Sequence, residues 1–141
     1  MRIPTVPLTV LTLALSSFVT PADEPGYLFF HSCGNVRPYL PSFIDMGIDV
    51  LQALQFSADG MDPVELKNRF GNRLSFEGGV CVQQTLPWGT VEEVRAETVE
   101  LIKTLGKGGG YILGPSHAIQ AGTPPQNIAV MLDTAASYYP F

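Results

Sequence analysis

The stretch YLFFHSCGNVRPYLPSFIDMGIDVLQAL, residues 27–54, contains one full period of the pattern that organises this chain. YLFFHS (27–32) is an apolar run of strand length. RPYLPSFIDMG (37–47) sets Leu40, Phe43 and Ile44 on one helical face, and Gly47 suits the carboxyl end of such a helix. IDVLQAL (48–54) is the next apolar run, and so the next strand. Between the first strand and its helix lie His31 and Cys33, from a chain that holds only two His and two Cys.

The alternation continues to the carboxyl end. In DPVELKNRFG (62–71), Asp62 is placed to cap a helix, Pro63 occupies its first position, Glu65 completes a capping box and Gly71 ends it. LSFEGGV (74–80) is the third strand, and CVQQTLPWG (81–89) is a loop. Thr90 and Glu93 form a second capping box ahead of a helix carrying Val94, Leu101, Ile102 and Leu105. GGGYILGPS (108–116) is the fourth strand, and a last helix starts at Thr123 and runs through Ile128, Met131 and Leu132. Four strands each followed by a helix are four βα units, which requires a parallel sheet with right-handed crossovers. A doubly wound sheet and half of an eightfold barrel both satisfy this pattern. No GxGxxG joins a strand to a helix, and GKGGG (106–110) precedes its strand and reads as a turn.

Composition narrows the function. An apolar fraction of 45% with 15% charged residues belongs to an ordered globular domain. The formal charge of −5 and eight scattered Lys and Arg exclude a nucleic-acid surface, which needs clustered cations. Two cysteines outside any CxxC pair suit a reducing compartment, so a cytoplasmic protein is expected. Residues 1–26 stand apart as a leader: Arg2, an apolar stretch to Val19 and small residues near Ala22 have the form of a secretory signal. A true signal over residues 1–22 would make the protein secreted; the other reading is the non-native start of a longer protein. Pro4 and Pro7 break the run, so no stable membrane association is expected.

The reactive side chains fall in one place on this map. His31, Cys33, Cys81 and His117 all lie at or just past the carboxyl ends of strands, the edge where parallel α/β folds gather their sites. The i, i+2 spacing of His31 and Cys33 puts both on one side of an extended segment. With a third ligand from a distant strand they match a catalytic zinc site with one open position. The plainer alternative is packing: a buried Cys acts as a small hydrophobe, and a His can bond a loop carbonyl. Asp49, Asp59 and Glu77 lie near strand edges and read as bracing groups before acids or bases, while Phe56 and Trp88 read as loop-packing aromatics.

HSCGNVRPYLPSFIDMGIDVLQALQ, MDPVELKNRFGNRLSFEGGV, LPWGTVEEVRAE and GGGYILGPSHAIQAGTPPQNI together resemble the carboxyl half of the uroporphyrinogen decarboxylase superfamily, over about residues 27–136. The resemblance implies the carboxyl-terminal half of a TIM (β/α)8 barrel, four βα units, as a partial domain over residues 27–141. It implies two branches of activity. In the corrinoid-dependent methyltransferases a His-x-Cys pair and a later Cys bind zinc, which activates a thiol acceptor for methyl transfer. His31 and Cys33 match that pair, and His117 stands where the later Cys is expected. Cys81 follows the paired glycines where relatives often carry an acidic residue, and is a further ligand candidate. In the decarboxylases, which use no metal or organic cofactor, a His near the last strand helps hold the tetrapyrrole, and His117 is its counterpart.

The expectation is therefore a part of a zinc- and corrinoid-dependent methyltransferase-like enzyme that moves a methyl group to a thiol. A porphyrinogen decarboxylase, and a non-catalytic half-barrel that binds a tetrapyrrole, are the alternatives. Partners follow from the same resemblance: a small molecule or corrinoid protein as substrate, and either a second copy or a missing amino-terminal half to close the barrel, since a complete one needs roughly 250 residues.

Overall fold

The computed structural model describes residues 26–138. The rest of the stretch read as a leader, residues 1–25, lies outside the described residues. Strands β1 (Phe29–His31), β2 (Val50–Gln52), β3 (Ser75–Val80) and β4 (Tyr111–Pro115) form one sheet in the order β1-β2-β3-β4, with every neighbouring pair parallel. Helix α1 (Leu40–Asp45) joins β1 to β2 and α2 (Pro63–Phe70) joins β2 to β3. The short α3 (Thr85–Trp88) and long α4 (Val91–Leu105) lie between β3 and β4, and α5 (Pro125–Tyr138) follows β4. A doubly wound sheet reverses its strand order at a switch point. Here the order follows the chain without reversal, which is the barrel arrangement, and four units are half of one.

Register separates the two faces. Phe30, Leu51, Phe76 and Tyr111 are cross-strand partners in one row. Leu51 and Phe76 are fully buried, and Phe30 and Tyr111 pack against the same core. From α4 that core receives Val94, Leu101 and Leu105, and from α5 Val130 and Met131. Burying each large side chain contributes roughly 1.5–3 kcal/mol. The next row, His31, Gln52, Glu77 and Ile112, is on the opposite face, away from the helices. No helix among the described residues is long and apolar enough to cross a membrane.

Local chemistry explains the helix ends. Asp62 accepts from the Glu65 backbone N–H at 2.7 Å with Pro63 at the first position. Thr90 and Glu93 form the full reciprocal box, at 3.2 and 2.7 Å. Glu65, expected to close the first box, instead spends its carboxylate on Arg37 at 2.6 Å and Arg69 at 3.1 Å, tying the turn before α1 to α2. The first helix is also shorter than its pattern: Arg37–Tyr39 is a 3-10 turn and the α-helix begins at Leu40. Pro41 has no N–H to donate back to Arg37, so a helix running from residue 37 would lack that bond.

The loop expected over residues 81–89 contains α3, whose Trp88 is 82% exposed and does not pack as a loop aromatic. The last helix begins at Pro125, not Thr123, and Leu132 is exposed while Asn127, Val130 and Thr134 face inward. Asn127 donates from Nδ2 to the carbonyls of Leu86 and Gly89, both at 2.9 Å, and so ties α5 to both ends of the α3 turn.

Candidate metal centre

His31 ends β1, and Cys33 follows two residues later on a loop held by neighbouring units. Ser32 N–H donates to the Gln52 carbonyl at 3.3 Å, and Gly34 N–H donates to Gln55 Oε1 at 3.0 Å. His117 comes from the far end of the sheet, two residues past β4. Its predecessor Ser116 is fastened to the β3 exit: its N–H donates to the Val80 carbonyl at 2.7 Å, and its Oγ accepts from the Val82 N–H at 3.2 Å. The sheet thus delivers residues from its first and last units to one place.

The ligand atoms of His31, Cys33 and His117 all lie within 4.8 Å of one another, and all three side chains are exposed. His31 Nε2 is 3.6 Å from Cys33 Sγ, and the two imidazoles meet edge-on at 5.3 Å between centroids. Zinc–sulfur and zinc–nitrogen bonds of roughly 2.3 and 2.05 Å at a tetrahedral angle place S and N about 3.6 Å apart. The His31–Cys33 separation matches that edge; His117, within 4.8 Å of both, would supply the third corner by closing in on an ion, with a fourth position left for a ligand. The donor set of one thiolate and two imidazoles therefore fits zinc. The same 3.6 Å is also an S–H···N hydrogen bond, the arrangement a metal-free pair would keep.

Cys81 is not part of this group. It is half-buried at the end of β3, and its N–H donates to Glu97 Oε1 at 3.1 Å. Glu97 Oε2 is buried without a hydrogen-bond partner among the described residues. Of the carboxylates singled out in the sequence, Asp49 accepts from the Leu28 N–H at 2.8 Å and braces the start of the β1–β2 pair. Glu77 lies in the polar row beside the metal candidates, and Asp59 is exposed.

A cavity of about 400 Å³ opens beside the group, lined by Cys33, Gln55, Val82, Gln83, Ser116, His117 and Gln120. Gln83 Oε1 accepts from Gln55 Nε2 at 3.3 Å and Ser57 Oγ at 3.2 Å, and among the described residues its own amide N–H groups have no hydrogen-bond acceptor. These amides were invisible as motifs. Their only signal was position: Gln52, Gln55 and Gln83 all follow closely on the apolar parts of β2 and β3.

The family described as Uroporphyrinogen decarboxylase (URO-D) matches residues 15–138. The chain belongs to the URO-D family. A uroporphyrinogen decarboxylase of Psychromonas ingrahamii is 27% identical over 99 residues, 70% of this chain and 26% of that protein. A methylcobamide:CoM methyltransferase of Methanosarcina barkeri is 28% identical over 109 residues, 77% of this chain and 30% of that protein. A solved methyltransferase from Methanosarcina mazei superposes with a TM-score of 0.68 at 27% identity, covering 81% of this chain and 32% of that one. This URO-D chain therefore spans between a quarter and a third of the length of these relatives, and both branches of the family are similar to it.

Proposed function

We propose that this URO-D chain carries the zinc-binding edge of a methyltransferase-type enzyme, with a corrinoid as methyl donor and a thiol as acceptor. The observation that carries this reading is the convergence of His31, Cys33 and His117 within 4.8 Å, with the tetrahedral S···N edge already formed. His31, Cys33 and His117 would hold the ion, and zinc supplies the ability to keep an acceptor thiol as a thiolate near neutral pH. The residues of the chain do the rest: the cavity seats the acceptor beside the open position, and Gln83 offers amide donors to its polar part.

The likeness to the Methanosarcina barkeri methylcobamide:CoM methyltransferase supports a cobamide donor, delivered either free or on a corrinoid protein. Among the described residues the sheet's two outer strands, β1 and β4, are paired on one side only, so further barrel units or a second copy would complete the enclosure. Metal analysis of the purified chain tests the reading: zinc near one per chain, lost in Cys33→Ser, is the expected result. Zinc-free protein in both forms would overturn it.

The decarboxylase reading is favoured by one observation, the similarity to the Psychromonas enzyme, and it uses His117 to hold a tetrapyrrole. Tetrapyrrole binding by metal-free chain, abolished in His117→Ala and untouched by Cys33→Ser, would select it.

A further inference from the structure

We propose that Gln52 and Glu77 are positioning residues that hold His31 in the tautomer with its proton on Nδ1, presenting Nε2 as the ligand atom beside Cys33. The parallel register places His31, Gln52 and Glu77 side by side in one cross-strand row on the face away from the helices. An ionised carboxylate only accepts hydrogen bonds, so the Gln52 amide turns its Nε2 toward Glu77 Oε1, at 3.2 Å. Gln52 Oε1 is then left facing His31 Nδ1, at 3.0 Å. A carbonyl oxygen cannot donate, so Nδ1 carries the proton. The remaining lone pair is on Nε2, the atom 3.6 Å from Cys33 Sγ. A fixed charge on β3 thus decides, through one amide on β2, which nitrogen of a β1 imidazole is free to bind.

No hydrogen bond fixes His117 in this way among the described residues; its ring meets that of His31 edge-on. His31 is therefore the preset ligand and His117 the one that adjusts to the ion. The part concerning zinc rests on the function proposed above, whereas the tautomer is a property of the metal-free chain.

The test is a long-range nitrogen–proton correlation spectrum of the imidazoles in the full, metal-free chain, about two pH units above the ordinary His value near 6.5. With two histidines in the chain, a His117→Asn sample assigns the signals. The expected spectrum shows His31 protonated on Nδ1 in the wild type and on Nε2 in Gln52→Leu. Glu77→Gln, which keeps the shape but allows Gln52 to turn over, gives a mixture. Chelator competition should show zinc affinity roughly 10- to 100-fold weaker in Gln52→Leu, with a smaller loss in Glu77→Gln. An Nε2-protonated His31 in the wild type, or a spectrum unchanged by Gln52→Leu, overturns the inference even if zinc binds. The expected tautomer in a chain that takes up no zinc upholds the positioning role and overturns the methyltransferase reading.

Discussion

Replacing Gly78 by Ala should destabilise the sheet and disturb the His117 end of the site together. Gly78 has φ of +103°, a region that side-chain-bearing residues enter at about 1–3 kcal/mol. An added Cβ would also lie 2.9 Å from the carbonyl oxygen of Pro115, a backbone atom that cannot rotate away. Relieving such an overlap costs roughly 1–3 kcal/mol, against about 0.4–1 kcal/mol recovered from the stiffer unfolded chain. The net loss is about 3 kcal/mol, a large share of the roughly 5–15 kcal/mol available to a small domain.

Gly47→Ala provides the control, because Gly47 also has positive φ, +88°, but nothing lies within 4 Å of its added Cβ. It should lose about 1 kcal/mol from torsion alone. Urea unfolding of the two variants beside the wild type measures the difference, expected near 2 kcal/mol. Because Pro115 lies two residues before His117, zinc binding should weaken in Gly78→Ala and stay intact in Gly47→Ala. Equal stability of the two variants would show that β3 and β4 yield at no cost, and the steric reasoning would fail.

Other expectations follow from single contacts. Asp62→Ala removes the cap on α2 and should cost about 1 kcal/mol by urea unfolding, with Asp62→Asn close to wild type. Asn127→Leu strands the Leu86 and Gly89 carbonyls, and should cost roughly 1–3 kcal/mol; a neutral result would mean that α3 is not held by α5. Burial lowers the pKa of Lys67 from 10.5, so between its folded value and 10.5 the unfolded chain binds the proton more tightly and stability rises with pH. Lys67→Met should remove that rise, seen as a smaller gain in urea midpoint as the pH is raised toward 10.5; equal gains in variant and wild type would contradict it.

Most of the architecture was legible because it is written in local terms. The periodic apolar residues of 91–105, the Thr90–Glu93 box and the Asp62–Pro63 start do not depend on distant partners, and all stand where the pattern puts them. Failures came where tertiary partners decide. Glu65 serves two arginines rather than its own helix end, and Leu132 is exposed although its spacing from Ile128 is helical. The candidate site divides in the same way. His31, Cys33 and His117 were identifiable by residue type and by position at strand ends, and the structure brings them together. Cys81 shared both signals but is not part of the group, because strand-end placement does not fix the direction of a side chain. Gln52 carried no signal: its place beside His31 depends on β1–β2 register, which a single strand's sequence does not declare.

The strand order bears on how the molecule comes into being. In the finished sheet each strand from β2 onward lies beside the one made just before it, so units can dock one after another with short loops to close. Metal uptake under the proposed function would be different, since His31 and Cys33 follow the first strand and His117 the last, and all must be in place at once. Capture of zinc should therefore be among the latest events after synthesis, and a chain stalled before its fourth strand would hold a native-like sheet yet leave the ion in solution.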